Sequence, residues 1–311
     1  MKTITTALCF LLALNNAFSN ELIVANEGFE FPPFSSYVNA DPLVKTGFEI
    51  ELVNEISSVL ESKNFPTLKI VHRYEDLNES FTFKDGEKID GPIDWGDLLD
   101  GLYLQSSNQR DYAWDIALGT FGITEERKKI VDFTNAYFIP SKHFFGRRGQ
   151  SISSLPDGLK DLRVGAEKGT LFEKYLVALK NDLEAKGTQT FTIITYESSN
   201  DLPAFEKMIN DLKNDVIDSF VQDDEVFLEK KIEDKELEAF DMISNEITSD
   251  YLGETFGSGV GMAVRKGSVL KLVIDSALDQ VIQSCRYQLI YEKYFLSQSP
   301  LSPSHCQISK N

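Results

Sequence analysis

Cysteine, histidine and tryptophan are scarce in this 311-residue chain, at three, three and two residues. The histidines, His72, His143 and His305, are scattered, and no His-x-x-x-His pair, Cys-x-x-Cys pair or Gly-x-Ser-x-Gly elbow occurs. The common frameworks for a zinc site, a redox dithiol or a serine hydrolase are therefore missing, and no metal, cofactor or catalytic residue is expected. Positive charge is also short: 31 Lys and Arg stand against 49 Asp and Glu, a formal net charge of −18. Nucleic acid and anionic membrane surfaces select for positive fields, so neither is an expected partner. Acidic runs such as Glu233 to Glu238 read as solvated surface. No apolar run reaches the roughly 20 residues that a membrane-spanning helix needs.

The N-terminus carries Lys2, an apolar run from Ala7 to Leu14, and then Ala17-Phe18-Ser19. This order predicts a signal peptide over residues 1–19, cleaved before Asn20, and hence an exported, soluble protein. Thr6-Ala7-Leu8 before Cys9 is a poor pattern for lipid attachment. Removal of the leader leaves Cys285 and Cys306, and two cysteines in an exported chain predict a disulfide. It would tie the tail around Pro303 to a helix running from Ser268 to Ser284. Two unpaired thiols are the alternative.

Strand-like and helix-like segments alternate along the chain. Leu22 to Asn26 reads as a strand, Phe48 to Ser62 as a helix with Leu52, Ile56, Val59 and Leu60 on one face, and Leu68 to His72 as a strand. The pattern recurs with strands at Leu162 to Ala166, Phe191 to Thr195 and Ile217 to Val221, and helices at Leu171 to Leu183 and Leu202 to Asp211. Such βαβ alternation predicts an α/β protein with parallel pairing, and the length fits two lobes.

The densest information lies between Asp115 and Phe138. Ile116 to Leu118 reads as a buried strand, and Gly119, Thr120 and Gly122 as a side-chain-poor loop that exposes backbone N–H groups. Thr124 is placed to cap a short helix over Glu125, Glu126 and Arg127. Arg127 then has two readings. Its planar guanidinium suits bidentate capture of a carboxylate; equally, it pairs with Glu125, Glu126 or Asp132 on a solvated face.

Gly122-Ile-Thr-Glu-Glu-Arg127, followed by Val131-Asp-Phe-Thr134 and the pair Tyr137-Phe138, resembles the signature of the family-3 solute-binding proteins, the periplasmic amino-acid-binding components of ABC importers. Further pieces resemble that family in the same order: Phe31-Pro-Pro-Phe34, Thr46-Gly-Phe-Glu-Ile-Glu-Leu52, Trp95-Gly-Asp-Leu-Leu99, Gly169-Thr170, Val216 to Asp224, Gly261 to Gly267 and Tyr291 to Phe295. The resemblance implies a two-lobed periplasmic-binding-protein fold of type II, each lobe a mainly parallel sheet flanked by helices, with the ligand cleft between lobes. Lobe 1 would hold residues 20–138 and 259–311, and lobe 2 residues 139–258, with crossings near Tyr137 to Ser141 and Phe256 to Val260.

The same resemblance implies the ligand set. Arg127, with the backbone around Thr120 and Gly122, would clamp a carboxylate. Asp223, with Asp224 as its competitor, would take an ammonium. Phe31 would pack on the ligand, a cation over a ring face gaining about 0.5 to 2 kcal/mol. Phe34 reads as core, and Trp95 as core or ligand wall. Gly169-Thr170 would add donors from the second lobe, although Thr170 and Glu173 also spell a capping box. Gly122 and Leu171 stand where relatives often carry hydroxyls. Two polar extensions, Tyr74 to Asp94 and Gln105 to Arg110, depart from the family pattern. The implied function is binding of an amino acid or similar small carboxylate by a periplasmic monomer that serves an ABC permease in the inner membrane. The alternatives are a cyclohexadienyl or prephenate dehydratase-like enzyme, with Glu27, Glu30 and Lys168 available as acids and bases, and a ligand-sensing partner of a membrane receptor.

Overall fold

The computed structural model describes residues 21–39, 41–77, 91–93, 95–103, 113–197, 202–247, 258–295 and 299–306. The expected signal peptide, most of the segment Tyr74 to Asp94, the extension Gln105 to Arg110 and the start of the second expected crossing lie outside the described residues. The chain divides into two compact units, Met1–Ile139 with Gly259–Asn311, and Pro140–Ser258.

In the first unit, β1 (Glu21–Asn26) leads through a hairpin of β2 (Ser36–Val38) and β3 (Asp41–Thr46) into α1 (Phe48–Glu61) and then β4 (Thr67–Val71). β1 pairs in parallel with β4 on one side and with β5 (Ile116–Leu118) on the other. Leu22 to Asn26 are all buried, as expected of a strand covered on both faces. A short helix, α2 (Asp97–Asp100), precedes β5, and β6 (Val131–Phe133) closes the outward run. β12 (Ala263–Arg265) runs antiparallel between β5 and β6 to give the order β4-β1-β5-β12-β6.

Gly47 opens α1 because nothing larger fits: its φ is 131°, and a Cβ there would lie 2.2 Å from the carbonyl oxygen of Phe34. The buried stripe of α1 is Glu49, Leu52, Val53, Ile56 and Leu60, the helical spacing of three and four. Val53 thus takes the inward place expected of Val59, which is only half-buried. Phe48 and Phe34 meet Phe138 and Phe295 with ring centroids 5.0 to 5.8 Å apart. Phe34 is therefore core, as expected.

The second unit orders its sheet β11-β7-β10-β8-β9. Its strands are β7 (Lys142–Arg147), β8 (Arg163–Glu167), β9 (Thr192–Tyr196), β10 (Ser219–Asp223) and β11 (Phe240–Met242); its helices are α3 (Leu171–Ala185), α4 (Ala204–Lys213) and α5 (Asp224–Glu233). β8 pairs in parallel with β9 and β10, whereas β7 is antiparallel to β10 and β11. Parallel pairing is thus confined to strands joined through helices, and both sheets are mixed, because antiparallel neighbours need no helical crossover.

Back in the first unit, α6 (Leu270–Gln283) and α7 (Arg286–Phe295) meet at Cys285, whose φ is 63°. Cys285 and Cys306 are joined in a disulfide 21 residues apart in sequence. Closing a loop of that size is worth about 3 kcal/mol through the unfolded chain. Denaturant unfolding of Cys285→Ser/Cys306→Ser should show a loss of that order.

Candidate functional site

In each unit the candidate residues sit beyond the carboxyl ends of adjacent parallel strands, where open α/β sheets leave room for ligands. In the first unit β1 and β5 run side by side, and their ends lead into the loops that carry Phe31 and Thr120. Phe31 is half-buried, and its ring stacks on Phe34 with centroids 5.7 Å apart. Paired backbone bonds between Phe31 and Ser35 close its loop.

The Gly119 to Gly122 loop is pinned at every turn. The Trp95 indole N–H donates to the Gly119 carbonyl at 2.8 Å. Thr120 adopts a left-handed φ of 48°, and its N–H donates to Glu49 Oε1 at 2.9 Å. The loop was expected to expose its N–H groups; the Thr120 amide is instead consumed by this buried carboxyl.

Arg127 opens a 3-10 turn, Arg127–Lys129, rather than lying one turn inside an α-helix. The Thr124 hydroxyl does cap it, accepting from the Arg127 N–H at 3.2 Å. The guanidinium donates to the Gly122 carbonyl at 3.0 Å and lies 5.5 Å from the Trp95 ring and 5.7 Å from that of Phe121. Two of the three acids that competed for it are engaged elsewhere, Glu125 with Lys128 and Asp132 with Lys266. Burial lowers the proton affinity of Arg127, and only Glu126 opposes that effect. Among the described residues, this half-buried cation between two rings has one carbonyl acceptor, with Glu126 the acid that acts on it.

Glu49, Lys45 and Tyr137 were missed by the sequence reading. Glu49 is 1% exposed, and its Oε1 accepts both the Thr120 N–H and the Tyr137 hydroxyl. Its Oε2 has no hydrogen-bond partner among the described residues. Burial pushes its carboxyl up to about 7 against the pull of those two bonds and of Lys45. Lys45 donates to the carbonyls of Glu27 and Phe29 and to Asn26 Oδ1, tying down the loop after β1. Burial pulls its ammonium down to about 8, with Glu27, Glu49 and Glu30 opposing. The one available signal was an acid on the apolar stripe of α1, at the spacing of Val53 and Ile56.

In the second unit, Thr170 follows β8 and Asp223 ends β10, its parallel neighbour. Thr170 caps α3: its hydroxyl accepts from the Glu173 N–H and donates to the Glu167 carbonyl at 2.6 Å. Glu173 reaches back to the Gly169 N–H at 2.7 Å, one residue before the N-cap, in a variant of the expected capping box. Asp223 lies directly opposite Lys142 in the β10–β7 register, and Lys142 Nζ is 3.4 Å from its Oδ1. That oxygen is sealed from solvent without a well-formed hydrogen bond among the described residues, although the side chain as a whole keeps 19% of its surface. Burial raises the carboxyl of Asp223, and the charge of Lys142 offsets this in part.

Asp224 meets the His143 ring at 2.6 Å, and burial raises its carboxyl too. Glu225, beside them at the start of α5, is pushed up to about 8, first by burial and then by Asp223 and Asp224. The strand end therefore carries three carboxylates held above their ordinary range, countered by Lys142 and the His143 ring. Among the described residues, one group of three potential metal ligands gathers, Cys285, His305 and Cys306, and its two sulfurs are spent in the disulfide.

Two α/β units with these strand-end residues define a two-lobed binding protein of type II. Residues 105–297 match the bacterial extracellular solute-binding proteins, family 3, and the chain belongs to that family. It is 31% identical over 175 residues to the putative ABC transporter arginine-binding protein 2 of Escherichia coli K12, a match spanning 56% of this chain and 63% of that one. It is 25% identical over 265 residues to the arginine-binding periplasmic protein of Mannheimia haemolytica, spanning 85% and 87%. A solved ancestral arginine-binding protein bound to arginine aligns with a TM-score of 0.61 at 25% identity, over 89% of this chain and 99% of that one.

The raised carboxyl of Glu225 has a thermodynamic consequence. The folded protein holds a proton on it that the unfolded chain releases near pH 4.5, so stability falls as pH rises from there and levels off above about 8. Urea unfolding across that interval should show a shallower fall in Glu225→Gln than in the wild type.

Proposed function

We propose that this protein binds a free amino acid in the periplasm and delivers it to an ABC permease, and that its ligand is a cationic amino acid of the arginine type. Arg127 takes the ligand carboxylate, and Asp223 takes its ammonium. The observation that carries this reading is Arg127 itself: its half-buried guanidinium lies against Trp95 and Phe121, and its Gly122 contact supplies no counter-charge. A ligand carboxylate adds two charge-assisted bonds to the guanidinium. The raised acids Asp223, Asp224 and Glu225 favour a ligand with excess positive charge, because a nearby cation stabilises their ionised forms and offsets the cost of burying them.

Family membership supports transport over catalysis, and the two relatives and the ancestral structure named for arginine support the choice of ligand. In this reading residues 1–19 direct export, the mature protein acts as a monomer, and Phe31, Thr120, Gly122 and Thr170 complete the ligand set. Gly122 contributes its backbone, and Thr170 is the weakest member because its hydroxyl already caps α3.

A thermal-shift screen of the mature protein against the common amino acids and prephenate tests this directly. A ligand at 100 times its Kd adds about 2.7 kcal/mol of stability. L-arginine should give a shift of that kind; consumption of prephenate without any amino-acid shift would sink the transport reading. Arg127→Ala should weaken L-arginine binding by about 2 to 5 kcal/mol, the cost of leaving a buried carboxylate unpaired.

A further inference from the structure

We infer that Glu49 is a positioning residue for the ligand carboxylate: its buried carboxyl holds the Thr120 peptide in a left-handed turn and so sets the loop to which Arg127 is anchored. The inference rests on the proposed role of Arg127, and its geometry lies wholly within the first unit. Glu49 stands in the first turn of α1, and one oxygen, Oε1, gathers the Thr120 N–H and the Tyr137 hydroxyl. Two residues beyond Thr120, the Gly122 carbonyl receives the Arg127 guanidinium. The turn is one that a β-branched residue seldom adopts, so it needs an outside hold, and the Glu49 bond supplies it.

The second oxygen makes the arrangement responsive. Oε2 is sealed and has no hydrogen-bond partner among the described residues. A proton arriving there breaks no bond; it converts two charge-assisted bonds at Oε1 into weaker neutral ones. Because the Glu49 carboxyl lies at about 7, the exchange falls near neutrality. The groups facing it are Lys45 from β3, the Tyr137 hydroxyl and the Thr120 N–H, with Tyr287 acting on Tyr137, and Glu27 and Glu30 acting on Lys45. Tyr137 is raised well above its ordinary range and stays a donor, and Lys45, at about 8, keeps most of its charge up to pH 7.5. Between pH 5.5 and 7.5 the change at this centre is therefore that of Glu49.

Ionised Glu49 grips Thr120 more firmly, so the carboxylate site is better ordered at the higher pH. L-arginine keeps its own charges over this interval and serves as the probe. Calorimetric titration of the wild type should give binding about fivefold tighter at pH 7.5 than at pH 5.5, the worth of strengthening one hydrogen bond. Glu49→Gln should bind more weakly than the wild type at pH 7.5 and lose this fivefold gain, any pH dependence that remains being that of Asp223, Asp224 and Glu225 in the second unit. The structural arm needs no ligand: in the free protein the Thr120 amide proton should titrate with a midpoint near 7 by NMR, and this titration should vanish in Glu49→Gln. Wild-type affinity and pH profile in Glu49→Gln overturn the inference, as does a Thr120 amide that does not titrate. Tighter binding at pH 5.5 also overturns it, because repulsion of the ligand by the Glu49 charge then outweighs positioning. A Thr120 amide that titrates in a protein binding no amino acid condemns the proposed function and leaves the hold of Glu49 on the loop standing.

Discussion

The first unit depends on one buried carboxyl. Glu49 ties the start of α1 to the loop after β5 through Thr120 and to the segment after β6 through Tyr137. The Tyr137 carbonyl in turn receives the Tyr287 hydroxyl from α7, and that hydroxyl meets Ser299 in the tail. Stretches far apart in sequence are thereby joined by one chain of hydrogen bonds. Glu49 is 1% exposed, and desolvation of its charge is the cost. Because the same carboxyl sets Thr120, packing of the aromatic core and the geometry beside Arg127 belong to one network.

The second unit solves a similar problem with less hydrogen bonding. Asp223 and Lys142 face each other across antiparallel strands, with an ammonium 3.4 Å from an oxygen that otherwise lacks a hydrogen-bond partner among the described residues. Such a pair offsets charge at a distance too long for a strong hydrogen bond to that oxygen. Thr170 and Gly169 illustrate the opposite condition. Their donors are committed to Glu167 and Glu173, which leaves them a smaller part in any ligand contact than Arg127 or Asp223.

Legibility in the sequence followed the range of the interactions. The cores of β1, α1, β5 and β8 were readable because each depends on local apolar spacing, and the capping of Arg127 by Thr124 because it spans three residues. The disulfide followed from counting two cysteines in a chain with a leader-like start. Val59 was misjudged because either it or Val53 continues the stripe of α1, and only packing against neighbouring elements decides between them. Glu49 was out of reach for a stronger reason: its partners lie 71 and 88 residues away, and an acid beside a helix start reads locally as dipole complementarity. Mixed sheets were likewise hidden, since β12 and β7 enter from distant parts of the chain.

The placement of the ionisable groups also bears on catalysis. An enzyme of the dehydratase type needs an acid or base that can reach its substrate and exchange a proton with it. Lys168 is exposed and paired with Glu197, and Glu30 accepts from the Tyr37 N–H at 2.7 Å. Glu49 has a proton affinity suited to the task, but it is sealed at 1% exposure, behind the very peptide that it positions. Its raised carboxyl is better explained by burial in a structural network than by catalytic tuning, which agrees with the binding proteins among the chain's relatives. The same reasoning separates Glu49 from the acids at the head of α5. Those are partly open to solvent, and burial together with their mutual repulsion raises their carboxyls, so a nearby positive charge would favour their ionised forms.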